Sequence, residues 1–403
     1  MKYDFTTLPD RRGKDAVALD GLGKIPGIAP EPPAEGFDAI PMWVADMNFV
    51  TFPRIPEAII ARAKHPAYGY FRAAEGYYDR IIDWQRKRNG TEGLLPEYIG
   101  YHNGVLGGVV SSLRVLCPQG GPVLINVPAY MGFLNMLEDN GFRAVHSPMK
   151  RDESGVWRMD FDDMEEKIRN YHIHAAILCS PHNPCGRVWE RGELEQLMEL
   201  YRRYDVYVIS DEIWSDLILE GHRHIPVQSV SEDAKMRTVA LYSVTKTFNL
   251  GGLDISYDII WNPRLRDLVR TEAKRTRYNA TNVLSMHALM AAYSPGGDEW
   301  VDELCCTLTG NAVYAVRFLG EHAPEIRTSL PEGTYMLFLE CEEWLRKRGM
   351  TLDALLRAGW KVGVAWQDGT MFGWPDSIRM NLALPYERVK EAFERLEKYV
   401  FRG

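Results

Sequence analysis

Between about residues 100 and 265 the chain alternates short, almost uninterrupted apolar runs with helical stretches. The runs are Pro122–Val127, Ala175–Ser180, Val206–Ser210, Thr238–Ser243 and Tyr257–Trp261, and Glu190–Tyr204 carries the helical spacing. Strands that are apolar on both faces must be covered on both faces. The pattern therefore predicts an α/β fold with a mainly parallel central sheet between helices. At 403 residues the chain is long enough to bury roughly three quarters of its unfolded surface, so more than one small module is expected.

The flanks read differently. Residues 1 to about 40 hold Gly21, Gly23, Gly27 and the prolines 26, 30, 32 and 33, a composition suited to an arm or loop. After Asp298 a long amphipathic helix to about Glu321 is followed by strands at Tyr335–Leu339 and Ile378–Met380. A closing helix spans Tyr386 to Phe401, with Val389, Phe393, Leu396 and Val400 on one face. The expected organisation is an N-terminal arm that joins part of a small domain (1–45), a large domain (46–290) and a smaller α+β domain (291–403).

Acidic residues outnumber basic ones, 55 to 47, for a net charge of -8, and no basic cluster interrupts the chain. That balance argues against nucleic acid or an anionic membrane as partner and leaves small molecules or proteins. No apolar stretch is long enough to span a bilayer, and the first residues lack a signal-peptide core, so a cytoplasmic location is expected. The six cysteines have no CxxC spacing and are expected to be reduced thiols. His222-Arg223-His224 lacks metal-ligand spacing; no metal is expected, and the segment reads as a solvated loop.

In open α/β sheets ligands bind beyond the carboxyl ends of the strands. Tyr130, Asn183, Asp211 and Lys246 each follow a predicted strand and are expected to converge on one crevice. Singly, the lysine reads as a solvated side chain, the aspartate as a cap and the tyrosine as a core aromatic. Together, a loop lysine able to form a Schiff base and a carboxylate able to keep a pyridine nitrogen protonated meet the two requirements of pyridoxal 5'-phosphate chemistry.

Three blocks carry a resemblance: Ser180-Pro181-His182-Asn183-Pro184-Cys185-Gly186-Arg187, Ser210-Asp211-Glu212-Ile213 and Ser243-Val244-Thr245-Lys246-Thr247-Phe248-Asn249-Leu250. They resemble the cofactor blocks of fold-type I pyridoxal-phosphate enzymes of the class I/II aminotransferase superfamily. Met42-Trp43-Val44-Ala45-Asp46-Met47, Tyr68-Gly69-Tyr70 and Val364-Ala365-Trp366-Gln367-Asp368-Gly369 are similar to the bacterial cystathionine β-lyase or cysteine-S-conjugate β-lyase branch.

The resemblance implies a role for each matching position. Lys246 holds the cofactor aldehyde, Asp211 faces the ring nitrogen, Asn183 the phenolic oxygen, and Tyr130 the ring face. Gly104, Val105 and Leu106, opening a helix, and Ser243 hold the phosphate. Arg379 binds the substrate carboxylate. Ala45 and Asn183 line the substrate side, and Tyr70 reaches the neighbouring subunit's phosphate in a homodimer. The implied reaction is α,β-elimination of a sulfur-containing amino acid to pyruvate, ammonia and a thiol. An aminotransferase and a non-catalytic cofactor-binding regulator are the alternatives. Asp254 stands where many superfamily members carry a phosphate-binding arginine. Trp214, Asn48 and Ala18-Leu19 stand where the branch has His, Asp and Lys-Trp, which leaves the substrate open.

Overall fold

The computed structural model describes residues 1–277 and 279–402. Its centre is a seven-stranded sheet. From one edge to the other the strands are Ile99–Asn103, Ile255–Ile259, Thr238–Tyr242, Tyr207–Asp211, Ala175–Cys179, Pro122–Val127 and Arg143–Pro148. The last five are mutually parallel; Ile255–Ile259 runs antiparallel to both of its neighbours. Every residue of Ala175–Cys179 and Thr238–Tyr242 is buried, as the unbroken apolar runs require. Helices such as Gly104–Leu116 and Arg191–Arg203 cover the faces, the latter opened by a reciprocal capping box between Glu190 and Glu193.

A second sheet of three antiparallel strands, ordered Met336–Glu340, Ser377–Asn381 and Gln367–Asp368, lies in the C-terminal part. The 26-residue helix Gly297–His322 precedes it. The closing helix Tyr386–Leu396 continues as a short π-helical turn over Glu397–Phe401, so the expected single helix is two segments.

The N-terminal arm is pinned in place rather than loose. Phe5 is buried against Phe49 and Trp300, with ring centroids 5.3 and 5.4 Å away. Val17–Asp20 forms one helical turn. Ile40–Pro41 pairs in parallel with Val364–Ala365, tying the start of the chain to its C-terminal part. Among the described residues no helix is long and apolar enough to cross a membrane.

Candidate active site

The parallel strands bring their carboxyl ends to one rim of the large sheet. Asp211 is the last residue of Tyr207–Asp211 and lies in register with Cys179; Asn183 follows four residues beyond Cys179. Tyr130 caps the helix Met131–Asp139 after Pro122–Val127. Ser243 caps the short helix Val244–Thr247, which carries Lys246. Because Ile255–Ile259 is reversed, its start meets the same rim and puts Asp254 there. The second reversal delivers the end of Ile99–Asn103, so the helix beginning at Gly104 points its free N–H groups at the same place.

These ends enclose a cavity of about 460 Å³. Lys246, Asp211, Asn183, Tyr130, Ala45, Gly104, Val105 and Leu106 all line it, together with Cys179, Trp214, Thr245 and Asp254. Gly104 has φ +71°, and a Cβ there would stand 2.7 Å from an Asp254 carboxylate oxygen, so only glycine fits this turn without displacement.

Lys246 Nζ donates to the Ala45 carbonyl at 2.9 Å. Burial, and then the Arg379 guanidinium, lower its amine to about 8, against the opposite pull of Asp46 and Asp211. Burial pushes the Asp211 carboxyl up to about 7, although Ile213 N–H donates to Oδ1 at 3.0 Å and Lys246 opposes the rise. A carboxyl held this way takes a proton unless a cationic N–H faces it.

Arg379 comes from the middle strand of the small sheet and is 3% exposed. Its Nη1 donates to Asn183 Oδ1 at 3.3 Å, and its Nη2 donates to the Trp43 carbonyl at 2.7 Å and to Gln367 Oε1. The Phe372 ring lies 4.6 Å from the guanidinium carbon. Nε is buried without a partner, and burial lowers the guanidinium to about 10. Among the described residues no carboxylate forms an ion pair with it. A buried guanidinium lacking an anion is poised to accept one.

The strap Trp43–Asn48 joins the two sheets. Asn381 Nδ2 donates to the Val44 and Asp46 carbonyls, Tyr335 OH donates to Ala45 O at 2.9 Å, and Asn249 holds Met47 at both its N–H and its carbonyl. Asn48 is buried and accepts from Arg11 at 3.1 Å. Trp214 packs edge-on to Tyr335 at 4.7 Å, with Lys246 Nζ 5.9 Å from the indole ring. An aromatic wall thus stands where the resemblance led to an expectation of histidine.

Other sequence candidates lie outside the cavity lining. Ser243 Oγ accepts from Thr245 N–H at 3.0 Å and donates to the Ile255 carbonyl. Tyr70 is fully exposed in the single chain, so it is not a core aromatic. Asp368 caps the turn at Thr370, and the Trp43 indole donates to Ala18 O at 3.0 Å. One expectation is corrected: His224 is not solvated. Glu212, just past the end of the strand, does not line the cavity, and its buried carboxylate needs donors. His224 Nε2 at 2.8 Å and Tyr242 OH at 2.6 Å meet it. Cys179, Tyr335 and Arg11 were not singled out from sequence, while Thr245 and Gln367 stood only inside quoted motif blocks. Cys179 could have been, as the last residue of a strand.

Residues 48–396 match the family model described as aminotransferase class I and II. The chain belongs to that family. This class I and II aminotransferase family member is 31% identical over 396 residues to cystathionine beta-lyase PatB of Bacillus subtilis, covering 98% of this chain and 99% of that one. It is 30% identical to Protein MalY of Escherichia coli over 353 residues, 87% of this chain and 85% of the other. The PLP-bound C-S lyase from Staphylococcus hominis superposes with a TM-score of 0.88 at 28% identity, over 99% of this chain and 98% of that one.

Proposed function

We propose that this protein is a pyridoxal 5'-phosphate-dependent carbon-sulfur β-lyase that converts cystathionine or a cysteine S-conjugate to pyruvate, ammonia and a thiol. The observation that carries the reading is the convergence of Lys246, Asp211, Asn183, Tyr130 and one helix N-terminus on a single cavity. Full-length similarity to a cystathionine β-lyase and a C-S lyase favours elimination among the reactions of the family.

The residues fit the cofactor. The buried Asp211 carboxyl, raised to about 7, favours a cationic N–H as its partner, and the helix opening at Gly104 turns its first N–H groups to the cavity. When bound, pyridoxal 5'-phosphate supplies an aldehyde for amines and a protonated ring that draws electrons from the substrate Cα. Lys246 would hold the aldehyde carbon and, once displaced by the substrate amine, remove the Cα proton; an amine near 8 is largely matched to that task. Asp211 would hold the ring N–H. With Asn183 Oδ1 already accepting from Arg379, its Nδ2 is left to donate to the ring oxygen. Tyr130 would cover the ring face, and the N–H groups from Gly104 onward would hold the phosphate. Ser243 would support that subsite by fixing the turn before Lys246.

Arg379 would bind the substrate carboxylate in register with Asn183, with the Ala45 backbone and the Trp214 wall on either side of Lys246. In this reading the enzyme is a cytoplasmic homodimer in which Tyr70 reaches the partner's cofactor phosphate; the complete exposure of Tyr70 supports that. Residues 46–290 form the cofactor-binding domain, while 1–45 and 291–403 build the smaller part, with the pairing of residues 40–41 to 364–365 in support. The test is incubation of the protein with pyridoxal 5'-phosphate and cystathionine. Pyruvate and a free thiol should appear together in equal amounts, and their absence across a panel of thioethers overturns the reading.

A further inference from the structure

The N-terminal arm reaches the rim of the cavity at one side chain. Arg11 Nη1 donates to Asp46 Oδ1 at 3.2 Å, to the Met47 carbonyl at 3.1 Å and to Asn48 Oδ1 at 3.1 Å, and Nη2 binds the other Asp46 oxygen. This is a two-pronged guanidinium-carboxylate pair, locked on both sides by the strap that Lys246 itself touches through Ala45. Both partners are partly shielded, with side chains 18% and 23% exposed. Arg11 itself does not line the cavity, so it acts on the site through the strap.

We infer that Arg11 is a positioning residue for Lys246: by holding the Asp46 carboxylate in a two-pronged pair, it keeps the strap in place and keeps that carboxylate from turning to the lysine amine. This rests on the reading of Lys246 as the Schiff-base lysine.

The charges around Lys246 make the consequence specific. Arg379 from the small sheet disfavours the ammonium form, while Asp46 from the strap and Asp211 from the large sheet favour it. The hydroxyls of Tyr335 and Tyr130 face the same space. Tyr335 bonds to the same Ala45 carbonyl, and both are held protonated by burial. Of the two carboxylates, only Asp46 has a cation of its own in Arg11. Removing Arg11 takes away a cation and lets the Asp46 carboxylate turn to the amine, and both changes favour the ammonium form.

The experiment measures Lys246 directly, without cofactor or turnover. The full-length chain freed of cofactor is trace-labelled with acetic anhydride across pH 6 to 11, and acetylation of Lys246 is read by peptide mass spectrometry. Arg11→Gln should move the labelling midpoint up by roughly one pH unit, a roughly tenfold loss of free amine at pH 7. Arg11→Lys should stay near the parent. Asp46→Asn should move the midpoint down, and adding Arg11→Gln to it should raise the midpoint by clearly less than Arg11→Gln does in the parent. An unchanged midpoint in Arg11→Gln, an upward shift just as large without Asp46, or an Asp46→Asn midpoint that fails to fall each overturns the inference. Where Arg11→Gln does not fold, Arg11→Met takes its place with the same expected shift. Borohydride trapping of the cofactor on Lys246 in the parent protein tests the underlying assignment separately.

Discussion

Asn183 Oδ1 accepts a 3.3 Å hydrogen bond from Arg379 Nη1, across 196 residues of sequence and from one sheet to the other. The bond links the side chain assigned to the cofactor ring with the one assigned to the substrate carboxylate. With a cofactor bound, movement of the small sheet would be registered at its ring, and a carboxylate on Arg379 would be fixed relative to it.

Arg379 has no carboxylate partner of its own among the described residues, and its Nε is buried without an acceptor. Arg379→Ala should raise KM roughly 100-fold for every amino-acid substrate, whatever its thiol portion, because the group lost recognises the part they share. Arg379→Lys, which supplies a point charge without the fork, should recover only part of the loss. Steady-state kinetics on two thioethers with different leaving groups check this; a defect confined to one of them contradicts the assignment.

The buried pair makes the cofactor-free chain sensitive to pH with a definite sign. The Asp211 carboxyl is raised from near 3.8 to about 7, so the folded chain binds a proton that the unfolded chain gives up. Its contribution is full below about pH 4 and is lost as pH rises through about 7. Lys246 is lowered from 10.5 to about 8, so its contribution is present above 10.5 and lost as pH falls through about 8. Thermal melts of the cofactor-free protein from pH 5 to 8 should therefore carry a declining component of a few kcal/mol at most, which Asp211→Asn removes. The same variant should keep its cofactor yet lose at least about 100-fold in turnover, since a neutral amide cannot hold the ring nitrogen protonated. A variant with a parental pH slope or near-normal turnover would refute the role.

Much of this site was legible because strand ends mark themselves. Ala175–Cys179 and Thr238–Tyr242 are unbroken apolar runs, and the polar residues just past them stand out. Two strands of the same sheet went unread. Arg143–Pro148 is an edge strand whose burial alternates, with Arg143 and His146 exposed. Ile99–Asn103 is rich in polar groups because its buried His102 is answered by Asp258 on the next strand at 2.7 Å. A partner 156 residues away leaves no local trace. The same holds for Arg11 and Gln367, whose importance lies wholly in the distant side chains they meet, and for His224, which looks solvated until Glu212 is seen to need it.

Tyr70 sits in a run, residues 63–73, in which every side chain is exposed, and Tyr68 and Phe71 share it. So much aromatic surface on one short segment suits burial against a second copy of the chain. Light scattering should give a dimer. Tyr70→Phe should release the cofactor about tenfold more readily while leaving the melting temperature of the dimer unchanged, as expected for one lost hydrogen bond to a phosphate. An active monomer excludes the arrangement.

Lyases and aminotransferases share the removal of the Cα proton, so the reaction type is decided at the next step. A proton returned by Lys246 to the cofactor carbon leads to transamination, whereas loss of a β-thiolate leads to elimination. A thiolate on the β-carbon, a far better leaving group than an amine or hydroxide, needs no proton from Lys246 to depart. Cystathionine should therefore give pyruvate over many turnovers with no 2-oxo acid present, and the visible spectrum should return to that of the resting enzyme after each addition. Adding a 2-oxo acid should leave the rate unchanged within about twofold, the spread allowed for weak competition at Arg379. If cystathionine is consumed only when a 2-oxo acid is supplied, or the cofactor accumulates as its amine form, the enzyme is an aminotransferase.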